Sequence, residues 1–114
     1  MIAIKKVLSS FGLAMKAGKI KSGEFSAEAS VKDGKSCLIV VAEDASDNTK
    51  KKFNDMCTFY HVPIIFFGDK YSLGKAIGKE MRAMISVNDS GFAGMIQKQL
   101  DEKIDQGLIQ EVEK

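Results

Sequence analysis

The residues best suited to chemistry lie in Lys19-Ile20-Lys21-Ser22-Gly23, with Phe25 just beyond. Two lysines and a hydroxyl at the start of a helix suit an anion, because the first backbone N–H groups of a helix lack partners and carry partial positive charge. Gly23 lets a ligand approach the backbone closely. Phe25 has two readings: a flat surface for an unstacked RNA base, or the one large core anchor of its helix. A second set is the carboxylate pair Glu43-Asp44, which leaves a strand where open α/β sheets often place ligands. Such a pair can bind metal or do acid–base work. Yet no histidine or further acid lies close by, and Asp44 can equally organise a turn. His61, the only histidine, precedes Val62-Pro63 and reads as solvent-facing or as a cap on helix carbonyls. No arrangement for nucleophilic catalysis stands out, and no catalytic or metal-ligating set is called.

Two further patterns read as structural. Gly74-Lys-Ala-Ile-Gly78-Lys79-Glu80 has three residues between its glycines and a glutamate after the lysine. A phosphate-binding loop needs four, and a Ser or Thr at the last position to reach magnesium. The two glycines therefore read as a close backbone approach to the sheet. Lys50-Lys51-Lys52 fan out by about 100° per residue on a helix, so they read as a solvated face with one or two within reach of a phosphate.

The elements that position these residues follow from periodicity. Ile4, Val7, Leu8, Phe11 and Met15 recur at helical spacing, predicting a helix over 3–17 ended by Gly18. Lys19-Ile-Lys-Ser reads as a short extended link, and Ser22 as the cap of a second helix running to about Lys32. Cys37-Leu-Ile-Val-Val-Ala42 is a continuous apolar run, predicting a strand buried on both faces. Ser46 or Asp47 caps a third helix with Phe53, Met56, Cys57 and Tyr60 on one side. Val62-Pro-Ile-Ile-Phe-Phe67 is a second buried strand with Pro63 at its start, where no ladder donor is needed. Ser72 caps a short helix, Met84–Val87 is a third strand, and Asp89 or Ser90 caps a last helix. Strands alternating with helices argue an α/β domain with helices on both sheet faces.

Composition bounds the rest. A chain of 114 residues is one domain, long enough for its own core. No apolar run nears the ~20 residues of a bilayer span, and the start lacks an export signal. Cys37 and Cys57 read as buried thiols in a reducing compartment, so the expected location is the cytoplasm. The net charge of +2 hides an uneven distribution. Residues 1–23 hold five lysines and no acid, while the last seventeen residues hold three lysines against five acids. A basic end of this kind suits an anionic partner, nucleic acid above all.

The order of the pieces completes the reading. Ser22-Gly23 opens a helix, and Leu38-Ile-Val-Val-Ala42-Glu-Asp44 forms a strand and exit loop. Val62-Pro63 starts a later strand, and Leu73-Gly-Lys-Ala-Ile-Gly78 makes a short helix before the last strand. Together these resemble the superfamily of small RNA-binding ribosomal proteins typified by the archaeal and eukaryotic kink-turn binders. Glu43-Asp-Ala-Ser-Asp-Asn-Thr-Lys-Lys51, Leu73-Gly-Lys-Ala-Ile-Gly-Lys-Glu80 and Asn88-Asp-Ser-Gly-Phe-Ala93 are closer to its bacterial YlxQ-type branch. The resemblance covers roughly residues 3–100. It implies a three-layer α/β/α sandwich around a mixed four-stranded sheet, without enzymatic activity or cofactor. The expected organisation is one RNA-binding domain over residues 1–106 and an acidic, frayed tail over 107–114.

The resemblance also carries site residues. In the kink-turn binders the helix opens with G-x-N-E-x-x-K, whose Asn, Glu and Lys read sheared G·A pairs and phosphates. Aligned on Gly23, those positions are Phe25, Ser26 and Ala29, and all three depart. The family's second contact, a loop over flipped-out bases, maps to Glu80-Met81-Arg82-Ala83. Met81 keeps an apolar contact there, and Arg82, the only arginine, adds a planar fork for phosphate or base. Glu43 and Asp44 are counted with the same surface. The expected mechanism is phosphate positioning by Lys19, Lys21 and Arg82, backbone contacts at Ser22 and Gly23, and apolar contact from Phe25 and Met81. The expected partner is structured RNA, ribosomal above all, bound by a monomer away from any membrane. Ribosomal or translation-factor proteins are the alternative partner.

Overall fold

Apolar side chains alternate along the central strands, and that alternation divides the core in two. The computed structural model describes residues 2–105. Its elements run α1 (Ile2–Lys16), β1 (Ile20–Ser22), α2 (Glu24–Lys32), β2 (Leu38–Val41), α3 (Asp47–Tyr60), β3 (Ile64–Phe66), α4 (Lys70–Ala76), β4 (Met84–Val87) and α5 (Ser90–Asp105). The sheet order is β1-β4-β2-β3, with β4 antiparallel to both β1 and β2, and β3 parallel to β2. Leu38, Val40, Ile85 and Val87 face α1, α4 and α5, meeting Phe11, Leu73 and Ile96. Ile39, Val41 and Met84 face α2 and α3, meeting Val31 and Phe53. A strand's period of two puts successive residues into opposite cores, which is why β2 is apolar throughout and β4 is apolar but for Ser86, which is buried with hydrogen-bond partners. The fold is the three-layer α/β/α sandwich on a mixed four-stranded sheet. The tail over 107–114 lies outside the described residues.

The end of α1 sets the start of β1. Gly18, at φ 74°, donates to the Met15 carbonyl at 3.0 Å, and Lys19 N–H donates to the Ala14 carbonyl at 2.9 Å. These two bonds satisfy carbonyls that the helix itself leaves unpaired and turn the chain into the sheet.

Several expectations need correction. Lys19-Ile-Lys-Ser is no mere link: Ile20–Ser22 is an edge strand, in register with Ile85–Val87. The strand over Val62–Phe67 shrinks to Ile64–Phe66 and is half-buried, because β3 is the other edge and has one neighbour. Asp69, rather than Ser72, caps α4: its Oδ1 accepts from Ser72 N–H at 2.7 Å. Ser46 caps α3 by accepting from Thr49 N–H, and Asp89 accepts from Phe92 N–H at the start of α5. Cys57 is buried, but Cys37 is partly exposed because it lies in the turn ahead of β2. Gly74 does make a close approach, though not to the sheet. A Cβ there would overlap the Glu80 carbonyl, so the approach is to the loop that leads into β4.

Candidate nucleic-acid interface

Strand directions decide which residues meet. Because β4 runs against β1 and β2, the start of β4 lies beside the ends of both. Ser22 pairs with Ile85 and Val41 with Met84. Gly23 N–H donates to the Met84 carbonyl at 3.2 Å, and Ala42 N–H donates to the Ala83 carbonyl at 2.8 Å. Segments about 20 and 60 residues apart in sequence are thereby drawn to one edge: Lys21–Phe25, Glu43–Asp44 and Met81–Arg82.

Arg82 joins two of them. Its Nε donates to Ser22 Oγ at 3.2 Å, and its Nη1 donates to the Met81 carbonyl at 2.9 Å. Ser22 therefore holds Arg82 rather than capping α2. The cap position belongs to Gly23, at φ 88° and ψ 159°, with no side-chain cap hydrogen bond. An L side chain is strained at that φ, so glycine is needed, and no capping side chain covers the amides of the first turn.

Asp44 serves the same edge from beneath. Its Oδ1 accepts from Lys70 N–H at 2.9 Å, and the Lys70 carbonyl accepts from Arg82 N–H at 3.0 Å. The carboxylate ties down the start of α4, and α4 in turn holds the Arg82 backbone. Glu43 is exposed, with its N–H bonded to the Gly68 carbonyl at 2.8 Å. Among the described residues no three of His, Cys, Asp and Glu gather closely enough to hold a metal ion. His61 closes α3 at φ 59° and is exposed.

The side chains left outward include apolar and cationic ones beside the exposed Glu43. Phe25 is 86% exposed, which decides between its two readings: it is no core anchor, since α2 buries only Ala27, Ser30 and Val31. Met81 is 57% exposed. Lys21 is exposed on β1 and pairs with no carboxylate among the described residues. Ser26 and Ala29 are half-buried on the flank of α2. Lys19 precedes β1, about 10 Å along the strand from Ser22 at ~3.3 Å per residue, and its carbonyl accepts from Asn88 N–H. It extends the basic edge away from the point where the three segments meet.

Lys52 is a residue whose part here sequence reasoning missed. It bridges from α3 to Glu24 Oε2 at 2.9 Å and Glu28 Oε1 at 2.8 Å, while Lys32 holds Glu28 Oε2 at 2.7 Å. Hydrogen bonds from Lys32 and then Lys52 hold the Glu28 carboxyl down to about 2, and raise both lysines above their ordinary range. The two carboxylates nearest Phe25 are thus neutralised pairwise and do not oppose an anion at the start of α2 as bare charges. The i, i+4 spacing of Glu24 and Glu28 was a usable signal; that both face α3 was not.

Comparison with known proteins agrees with this architecture. Residues 5–95 match the ribosomal protein L7Ae/L30e/S12e/Gadd45 family. The chain is 40% identical over 90 residues to the RNA-binding protein YlxQ of Bacillus subtilis, covering 79% of this chain and 90% of that one. It is 29% identical over 98 residues to the large ribosomal subunit protein eL8 of Cenarchaeum symbiosum, covering 85% and 78% of the two chains. A Bacillus halodurans protein of unknown function superposes with a TM-score of 0.82 at 38% identity, over 84% of this chain and 97% of that one. The Giardia lamblia 15.5kD RNA binding protein, at 21% identity and a TM-score of 0.73, shares the fold over 96% and 92% of the two chains. In sequence and in architecture, the chain belongs to the ribosomal protein L7Ae/L30e/S12e/Gadd45 family.

Proposed function

We propose that this chain is a non-enzymatic RNA-binding protein that works on ribosomal or other structured RNA. The observation that carries the reading is the Arg82–Ser22 hydrogen bond, which unites a basic strand edge with an exposed apolar loop beside Phe25. Lys21 and Arg82 position phosphates, Lys19 extends that edge, and the amides at Gly23 offer further phosphate contacts. Phe25 and Met81 supply flat and flexible apolar surface for unstacked bases. Asp44 positions the loop without touching RNA, and Glu43 stands at its margin. The relatives described as an RNA-binding protein and a ribosomal subunit protein support the same reading.

The target differs from a standard kink-turn. Phe25, Ser26 and Ala29 offer no amide, carboxylate or ammonium to guanine edges or neighbouring phosphates. A kink-turn duplex and a control with its G·A pairs disrupted should therefore bind with equal affinity in a fluorescence anisotropy titration. A preference for the intact kink-turn would overturn that part of the reading. The exposed Phe25 and Met81 also favour a second reading, an apolar hot spot for a translation-apparatus protein. Co-purification that survives nuclease treatment would favour it over RNA.

A further inference from the structure

Beside the Met81–Arg82 loop the molecular surface continues into a groove whose lining beyond those two residues has no role above. Tyr71 lies on α4 with its side chain 63% exposed, and the Lys75 ammonium sits 5.8 Å from its ring centre. On one side, Tyr71 and Lys75 share an open concavity of about 720 Å³ with Lys79, Met81 and Arg82. On the other side they share a second concavity, about 480 Å³, with Lys5 and Leu8 of α1. The result is one trough with an aromatic ring at its middle, running from the loop to α1. Lys5, Lys75, Lys79 and Arg82 line it, and Glu80 is the one acid among its lining residues.

We propose that this trough is a second contact surface, for single-stranded RNA leaving the structured element held at the Ser22–Arg82 edge. The inference rests on the RNA reading above and adds the class of strand and its path. A duplex keeps its bases stacked on each other and has none to offer an aromatic ring, whereas a single strand does. Base–aromatic stacking combined with a cationic groove is how proteins hold single strands without regard to sequence. The charge is complementary to a polyanion, and the trough is continuous with the edge where the structured part would sit. Tyr71 is the stacking platform, and Lys75, Lys79 and Lys5 follow the phosphates.

The test uses the full chain and two forms of one fluorescein-labelled RNA hairpin with an internal loop, blunt or carrying a single-stranded extension. The extension should tighten binding about fivefold or more, the low end of one base stacked on an aromatic ring. Tyr71→Ala should abolish that gain and leave blunt-hairpin affinity unchanged, while Tyr71→Phe should keep the gain. In NMR spectra a ten-nucleotide oligouridine should shift the Tyr71 ring signals and leave those of Tyr60, on the opposite layer, in place. An extension without effect, a gain that survives Tyr71→Ala, or shifts at Tyr60 in place of Tyr71 would each overturn the proposal. Lys21→Ala should weaken both hairpins alike. If it does while Tyr71→Ala changes nothing, the RNA reading stands and the trough falls. If the blunt hairpin goes unbound at low salt while oligouridine shifts Tyr71, the structured-RNA reading falls and single-strand binding in the trough stands.

Discussion

Where β4 ends and β2 begins, polar side chains pair with one another inside the fold. Where β4 begins and β1 and β2 end, side chains turn outward. At the first of these ends the Ser86 hydroxyl lies 2.8 Å from Ser36 Oγ and 2.6 Å from Asn88 Oδ1, and Asn88 Nδ2 donates to Ser30 Oγ at 3.0 Å. At the second end, backbone bonds hold the frame, while Phe25, Met81 and Lys21 point into solvent. Burial of polar groups is favourable only when each finds a partner, and the closed end meets that demand completely. The open end spends its hydrogen bonds on positioning: Ser22 on Arg82, and Asp44 on α4. One end stabilises the fold; the other presents a surface. Mutations should separate the two.

The largest effect should come from the frame of the open end itself. Gly74→Ala places a methyl group against the Glu80 carbonyl, and backbone cannot yield as a flexible side chain would. A loss of about 3 kcal/mol or more is expected, together with loss of RNA binding as the loop moves. Thermal melts and anisotropy measure both; a neutral Gly74→Ala would show that the loop is not braced on α4. At the closed end, Asn88→Ala strands the hydroxyls it serves and should lower stability by about 1–3 kcal/mol with RNA affinity unchanged. If affinity fell with it, the two ends would not be separable.

Phe25→Ala inverts that pattern. An exposed side chain contributes within about 0.5 kcal/mol to stability, whereas loss of a stacking surface should weaken RNA binding about tenfold. Stability loss without affinity loss would return Phe25 to the core. The smallest effect is electrostatic. Glu28 titrates near 2 in the fold, below its ordinary 4.5, so its contribution is full above the ordinary value and vanishes as pH falls towards 2. Glu28→Gln should therefore melt at a lower temperature than wild type at pH 7, and the gap should close by pH 2. A gap that widens on acidification would reverse the sign of the argument.

How far the sequence revealed this division depended on the physical signal at each position. The continuous apolar run of β2 and the helical spacing in α1 announced themselves, because deep burial leaves a trace in the pattern. β1 did not: three residues, two of them polar, become a strand only through pairing with β4. Ser22 looked like a helix cap because hydroxyls before helices usually are, and its actual partner, Arg82, is 60 residues away. Phe25 was undecided because an aromatic at the start of a helix reads alike whether it faces core or solvent. The local pieces of the open end were legible, and their convergence was not, since strand direction fixes it and no local pattern encodes that.

The central claim is that the open end holds RNA by its phosphates with Lys21 among the contacts. Its most direct test is the salt dependence of binding for a structured RNA, measured for wild type and Lys21→Ala. The affinity of wild type should fall steeply as salt rises, and the variant's logarithmic slope should be shallower by about one unit, the release of about one counterion. Binding indifferent to salt, no binding at low salt, or parallel slopes for the two proteins would contradict it.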